Sequence, residues 1–468
     1  MTTPVTAAAQ RPAGGAAEAP MSATEVDRRP RRTLTTDVLV AGGGAAGVAA
    51  AVTAARMGAR VLLVERYGFC GGGAVAGMSG TVCGLYLSSA DAAAPPRMVV
   101  GGFAGEFLDA LEGLGGLTGP VRYGRTFTRV HDPLRWRQAA DRLLAEAGVT
   151  VLFHTTITGA LLDGTRVAGV TATTAGGSLT IRAERTIDAT GDAAVLAMAG
   201  DRLLEPPEVS VQNPTMMFRV SGVDTAALQA AYGDDSIMPP SVWEQIERAR
   251  ETGLDLPRTK IFLFPTPRPN ELLVNATRIS GLQGEELNVL LAEDISEAER
   301  GGRRQVDAYL TFLRQQIAGC GGAFIVDTGT QVGIRQTRQL VGSYQLTAAD
   351  VLGRARFPDA VARCPWPIEL HRGERPRLEW IDEGVYEIPY RCFIPRGSEN
   401  ILAAGRCLSA DAEAMASARV TGQCFQYGEA IGLATVMSLS DQISPSAVDG
   451  ERLHEMLAER GLFAPVGE

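Results

Sequence analysis

The stretch from Asp37 to Arg66 constrains the fold of this chain more than any other. Val38, Leu39, Val40 and Ala41 form an apolar run suited to a buried parallel strand. Gly42, Gly44 and Gly47 follow in G-x-G-x-x-G spacing ahead of an alanine-rich helical stretch. Gly58 closes the predicted helix, Arg60 to Val64 read as a second strand, and Glu65 ends it about 20 residues beyond the glycines. Glycine is so common here, 54 of 468 residues, that this spacing alone arises about 0.7 times by chance. Its setting between a strand and a helix, with an acidic residue after the next strand, makes it informative. Glycines let the backbone turn and approach a pyrophosphate, the helix start offers unpaired N–H groups, and the acid accepts ribose hydroxyls. A dinucleotide site is expected; the competing reading is an ordinary strand-turn-helix with Glu65 solvated.

A chain of this length holds two or three domain-sized units. Its formal net charge of -9 opposes nucleic-acid or anionic-membrane binding and favours small-molecule chemistry. Val38 to Ala55 carry no charge, yet glycine and weakly apolar alanine make up much of the stretch, so it reads neither as a membrane span nor as an export signal. Seven cysteines without C-x-x-C spacing and only four histidines give no expectation of a metal site, and fit a reduced, cytoplasmic protein. The leader, residues 1–33, is Ala-, Pro-, Gly- and Arg-rich without hydrophobic periodicity and is expected to be disordered.

Organisation along the rest of the chain follows from changes of period. A first nucleotide-binding segment (34–85) ends in a second glycine cluster including Gly71, Gly72 and Gly73, where backbone is expected to pass close to a ligand again. Residues 86–130 contain an amphipathic helix within Gly101 to Gly115 and form a first cap region. In 131–204 a helix over Asp132 to Ala147 precedes a β-meander: Val149 to Ile157, Arg166 to Thr174 and Ser178 to Arg182. A sheet strand then resumes over Arg185 to Ala189 and ends at Thr190-Gly191-Asp192, where open α/β sheets bind ligands. Residues 205–392 mix strands and helices and read as a substrate or cap domain. An extended backbone over Gly333 to Leu340 would put Arg335 and Arg338 on opposite faces. Nucleotide-domain grammar returns at 393–440, with a strand over Ile401 to Ala404, Gly405-Arg406 and a helix from Gly422; a tail helix (441–468) follows. The fold class is α/β: a Rossmann-like nucleotide domain with an inserted β-meander and a mixed α+β cap.

Five segments together resemble the FAD-dependent oxidoreductases of the glutathione-reductase-like flavoprotein fold, in particular a bacterial group of that name. They are VLVAGGGAAGVAAA at Val38, TIDATGDAAVLAMAG at Thr186, GIRQTRQLVGSYQLTAADVL at Gly333, YEIPYRCFIP at Tyr386 and NILAAGRCLSADAEAMASARVTGQCFQYGEAIG at Asn400. The resemblance implies FAD, held by Gly42, Gly44, Ala45, Ala46, Gly47, Glu65, Arg66, Gly72 and Gly73. It places Gly191 and Asp192 near the adenine half, returns Gly405 and Arg406 to the phosphates, and puts Gly422 and Gln423 at a helix start beside the isoalloxazine. Such a helix start would stabilise negative charge developing on N1 and the C2 carbonyl. Related sequences carry an acidic residue where Gln336 stands and a larger apolar residue where Cys70 stands. Cys70 could be a covalent tether, a redox thiol or a small buried packing residue.

The implied activity is oxidation or desaturation of a small organic substrate bearing a carboxylate or amine, by hydride transfer to flavin N5. Arg335 or Arg338 would anchor a carboxylate, and His371 or Tyr390 could move a proton. The bland alternatives are inter-domain ion pairs for the arginines and a solvated loop histidine in PWPIELHRGERP. Other functional readings are a flavin-dependent reductase using external NAD(P)H and a non-catalytic FAD-binding subunit. The expected partner is a small-molecule substrate, with no nucleic acid and no membrane; a homodimer is allowed.

Overall fold

The computed structural model describes residues 32–206, 211–371 and 374–463. Its central seven-stranded sheet is built around β1 (Arg32–Ala41), which is followed by α1 (Ala45–Arg56) and β2 (Val61–Val64). β2 pairs in parallel with β1 and, on its other edge, with β3 (Thr150–Leu152). On the far side, β4 (Thr156–Asp163), β5 (Arg166–Thr174) and β6 (Gly177–Asp188) form the antiparallel meander. β1 starts at Arg32, two residues inside the expected leader; residues 1–31 lie outside the described residues.

Two readings of the meander change. The expected strands Ser178 to Arg182 and Arg185 to Ala189 are one strand, β6, whose whole length lies parallel to β1, so the meander extends the nucleotide sheet. The expected single strand Val149 to Ile157 is two, because His154 takes a left-handed backbone (φ 49°) where the chain leaves β2 for β5.

The cap contains a four-stranded antiparallel sheet: β7 (Phe218–Ser221), β8 (Phe262–Pro265), β9 (Glu271–Asn275) and β10 (Phe324–Thr328), in the order β8-β9-β7-β10. The 25-residue α2 (Ala292–Gln316) buries Val306, Tyr309, Phe312 and Leu313 against it. The expected 205–392 unit has two cores. Met216 to Val332 contribute to that of the cap sheet, whereas Leu346 to Ile394 share the core of α1.

The chain returns to the central sheet with β11 (Ile401–Ala403), parallel to β6, and then forms α3 (Thr421–Ser440). α3 explains why α1 is so rich in alanine. A Cβ on Gly428 would lie 2.1 Å from the Ala46 carbonyl oxygen, and one on Gly432 would lie 2.6 Å from that of Ala50. The two helices therefore meet backbone to backbone, and only small residues fit between them. That contact sets the middle of α3 against the first turns of α1, so α3 begins about two turns ahead of it. Of the tail, the helix Gly450–Glu459 packs Leu453 and Leu457 into the same core. Among the described residues, no helix is long and apolar enough to cross a membrane.

Candidate active site

The three motif glycines have three different physical roles. Gly42 turns the chain with φ 102°, and a Cβ there would lie 2.5 Å from the Ala189 carbonyl oxygen. Gly47 lets α1 sit on the turn, since its Cβ would lie 1.8 Å from the Gly42 oxygen. Gly44 faces open space. Its backbone (φ -69°, ψ -178°) suits any residue, and the nearest atom to a Cβ would be the Gly72 Cα at 3.9 Å. Gly44 is the N-cap of α1, no side chain caps the helix, and its first turn carries no acidic residue. The first N–H groups of a twelve-residue helix are thus presented to a cavity with no competing carboxylate, which fits a pyrophosphate.

That cavity, about 370 Å³, reaches from Glu65, Arg66 and Thr155 past Gly72, Gly73, Gly191 and Gly405 to Arg335, Trp366, Glu369 and His371. At its first end Glu65 is buried. Its Oε2 accepts the Gly43 amide at 2.7 Å and its Oε1 the Tyr67 amide at 2.9 Å. Burial raises its pKa above the usual carboxylate range, and the two amides pull it back. Glu65 therefore holds the glycine turn to β2 and keeps further lone pairs for a ribose. Arg66 donates to Gln331 Oε1 at 2.9 Å.

Midway, Asp192 Oδ1 accepts from the Arg406 guanidinium at 2.9 Å and the Thr337 hydroxyl at 2.8 Å. Burial opposes its ionisation, but Arg406 and Thr337 outweigh burial and hold its pKa below the usual range. Gly191 (φ 79°) makes room for that guanidinium, because a Cβ would lie 2.9 Å from Arg406 Nη2. This pair ties the end of β6 to the segment after β11.

The other end carries the titratable groups. Glu369 accepts the Tyr123 hydroxyl at 2.5 Å and His371 Nε2 at 3.1 Å on Oε1, and the Trp366 indole N–H at 3.2 Å on Oε2. Burial opposes its ionisation, but His371, Tyr123 and Arg419 prevail, and the carboxyl lies well below its usual range. Burial first, then the Arg335 charge, pushes the His371 pKa well down, so the imidazole is neutral. A carboxylate only accepts, so the Nε2 facing it carries the proton and Nδ1 keeps the free lone pair. Arg335 is held by the Asn213 carbonyl (2.8 Å) and the Thr215 hydroxyl (2.6 Å) and has no carboxylate within ion-pair distance among the described residues. Burial, then the charges of Arg419 and Arg258, lowers its pKa.

Of the residues expected at the site, Gly42, Gly44, Ala45, Ala46, Glu65, Arg66, Gly72, Gly73, Gly191, Asp192, Gly405, Arg406, Arg335 and His371 line this one cavity. Gly47 stands behind it. The others do not reach it. Arg338 pairs with Glu205 at 2.9 Å. Tyr390 donates its hydroxyl to the Pro445 carbonyl at 2.7 Å, pinning the tail rather than moving a proton at the site. Gly422 packs on the Cys83 carbonyl and gives it its amide at 3.0 Å, while Gln423 donates to the Gly84 and Arg363 carbonyls; Val420, Thr421 and Cys424 face the cavity in their place. Cys70 also lies off the cavity. It packs on the glycine turn, and burial drives its thiol pKa far up, as suits a packing residue rather than a reactive one.

Tyr123, Trp366, Glu369 and Arg419 escaped the sequence reading. Part of the PWPIELHRGERP segment is a strand: Ile368–Leu370 pairs with Arg377–Glu379. Glu369 and His371, two residues apart, therefore lie on one side of an extended segment, and the E-x-H spacing was the available signal. Tyr123 and Arg419 approach from elements far away in sequence and had none.

A mixed sheet whose parallel β1 ends in a glycine turn, with an uncapped helix start on a long cavity, defines a dinucleotide-binding α/β protein. The profile of the FAD dependent oxidoreductase family matches residues 37–457, and the chain belongs to that family and uses FAD. A 177-residue stretch is 33% identical to thiamine thiazole synthase of Aeropyrum pernix and covers 36% of this chain; the chain spans only 58% of that relative's length. Among solved structures, a geranylgeranyl bacteriochlorophyll reductase-like protein of Thermoplasma acidophilum superposes with TM-score 0.50 at 14% identity, covering 92% of this chain and 84% of that one. The p-nitrophenol 4-monooxygenase of Pseudomonas putida does so with TM-score 0.47 at 12% identity, over 90% and 84%. At these identities the likeness is one of fold.

Proposed function

We propose that the protein is a dehydrogenase or oxidase that removes hydride from a carbon of a small carboxylate-bearing substrate. FAD, when bound, supplies the hydride acceptor at N5. One observation carries this reading: Arg335 is held by neutral oxygens, lines the cavity and meets no carboxylate among the described residues. A half-buried guanidinium without an anionic partner is costly, and a substrate carboxylate would satisfy its planar fork.

His371 supplies the second part. Its free Nδ1 can accept a proton from a substrate hydroxyl, amine or adjacent carbon as hydride leaves, and Glu369 stabilises the imidazolium that results. Tyr123 and Trp366 fix the Glu369 carboxylate, so the imidazole is oriented before substrate arrives.

The test is anaerobic addition of a panel of hydroxy acids, amino acids and cyclic amino acids to the FAD-loaded protein, following the visible flavin band. The reading expects bleaching by at least one acid without NAD(P)H. Bleaching by NAD(P)H alone would replace it with the reductase reading.

A further inference from the structure

Charge at the His371 end of the cavity is unbalanced well beyond what one substrate carboxylate would correct. Arg335, Arg419 and Arg258 converge there. None of the three has a carboxylate within ion-pair distance among the described residues. Arg258 is 2% exposed. It donates to the Lys260 carbonyl and to Asn275 Oδ1, at 2.9 and 2.8 Å, and its Nη2 has no partner. Arg419 lines the cavity, gives Nη2 to Gln212 Oε1 at 3.2 Å and leaves its buried Nε unpartnered. Against these three stands the Glu369 carboxylate, already engaged by Tyr123, Trp366 and His371, whose imidazole is neutral.

With Arg278 on the side cavity as a fourth guanidinium, the groups described here leave more positive charge than the Glu369 carboxylate and one substrate carboxylate can balance. In a partly desolvated cavity such an excess persists only if the bound state supplies the counter-charge. The side cavity between Arg258 and Arg335 is only about 10 Å³ and can hold no more than a water-sized group, so the counter-charge must enter the main cavity. There the two lining guanidiniums, Arg335 and Arg419, reach it from different elements, the segment after β10 and the turn before α3.

We infer that the substrate is a dianion with two carboxylates, one on Arg335 and the other on Arg419. This rests on the carboxylate reading given above and extends it to a dicarboxylic acid. Arg258 acts behind Arg335 as a fixed positive charge. Arg419 is then a binding residue, through the part of its guanidinium that lines the cavity.

The test uses the FAD-loaded protein and three unreactive probes: acetate, malonate and inorganic phosphate. Binding is read from the perturbed flavin spectrum and from thermal shift. Malonate should bind about 10- to 150-fold more tightly than acetate, the gain expected of one further charge-assisted contact, and Arg419→Gln should narrow that ratio towards one with FAD content kept. Equal binding of malonate and acetate by the unmodified protein would overturn the inference while leaving the carboxylate reading intact. Tight phosphate binding with weak malonate binding would also overturn it, because both charges would then sit on one centre. Arg419→Gln that shifts the flavin reduction potential and leaves the malonate preference whole would assign the charge to the cofactor instead. Failure of all three probes to bind would remove the carboxylate reading and this inference together.

Discussion

Alanine substitution at Gly44 and Gly47 separates cofactor binding from folding, using the same added methyl group three residues apart. At Gly47 the methyl would lie 1.8 Å from the Gly42 oxygen and 3.3 Å from Ala189 Cβ. The helix must retreat by about 1.6 Å to restore ordinary contact, yet Gly42 is held at φ 102° against Ala189 and cannot follow. Overpacking of that size costs about 3 kcal/mol or more, over 100-fold in the folding equilibrium. At Gly44 the backbone is ordinary and the nearest atom is 3.9 Å away, so the apoprotein should keep its stability within about 0.5 kcal/mol. The same methyl, however, stands at the mouth of the uncapped start of α1. Keeping a phosphate from one charge-assisted N–H bond there costs about 1.5 to 3 kcal/mol, a loss of about 10- to 150-fold in FAD affinity. Thermal unfolding of the apoproteins and fluorescence titration with FAD measure both effects. The reasoning is refuted if Gly44→Ala unfolds as readily as Gly47→Ala, or if Gly44→Ala binds FAD as the unmodified protein does.

Glu369→Gln cannot accept from Tyr123, His371 and Trp366 without reorganisation, since one end of the amide is a donor; it should slow substrate-dependent flavin reduction by about 10²- to 10⁴-fold while FAD stays bound, as measured by stopped-flow absorbance. Cys70 lies off the cavity, so acid precipitation should release all the flavin into the supernatant, whereas colour retained in the pellet and freed by Cys70→Ala would show a tether. His131 is buried on the Trp136 ring, and burial pushes its pKa down to about 4 from an ordinary 6.5. Its stabilising contribution is whole above pH 6.5 and falls by about 3 kcal/mol as pH drops to 4, because the unfolded chain takes up the proton first. Denaturant titrations across that range should show the loss, and His131→Phe should flatten it.

The sequence made the central sheet legible because its signal is local. Val38 to Ala41 are apolar on both faces, the glycines follow at once, and the next strand lies within one helix length. Much of the dinucleotide cradle was legible for the same reason. The opposite end was only partly so. Arg335 and Arg338 could be assigned to opposite sides by parity, and they do differ: one faces the cavity and the other pairs with Glu205. Yet most of that segment is irregular, bridged to Thr215 at Gly333 and forming a strand only at Gln339–Leu340, so parity was an approximate guide. Tyr390 misled because a buried tyrosine near a family motif carries no mark of which way its hydroxyl points. Tyr123 and Arg419 are joined to Glu369 only by tertiary packing, which no local pattern encodes.

Anaerobic flavin reduction by a carboxylic acid substrate, compared between Arg335→Ala and Arg338→Ala, tests the account most directly. Both variants should bind FAD stoichiometrically. Arg335→Ala should lose about 100-fold or more in reduction efficiency, since it removes a cavity-lining guanidinium that has no carboxylate partner among the described residues, and Arg338→Ala should reduce at the unmodified rate with a small loss of stability. Equal losses in both variants, or full reduction by Arg335→Ala, would contradict the account.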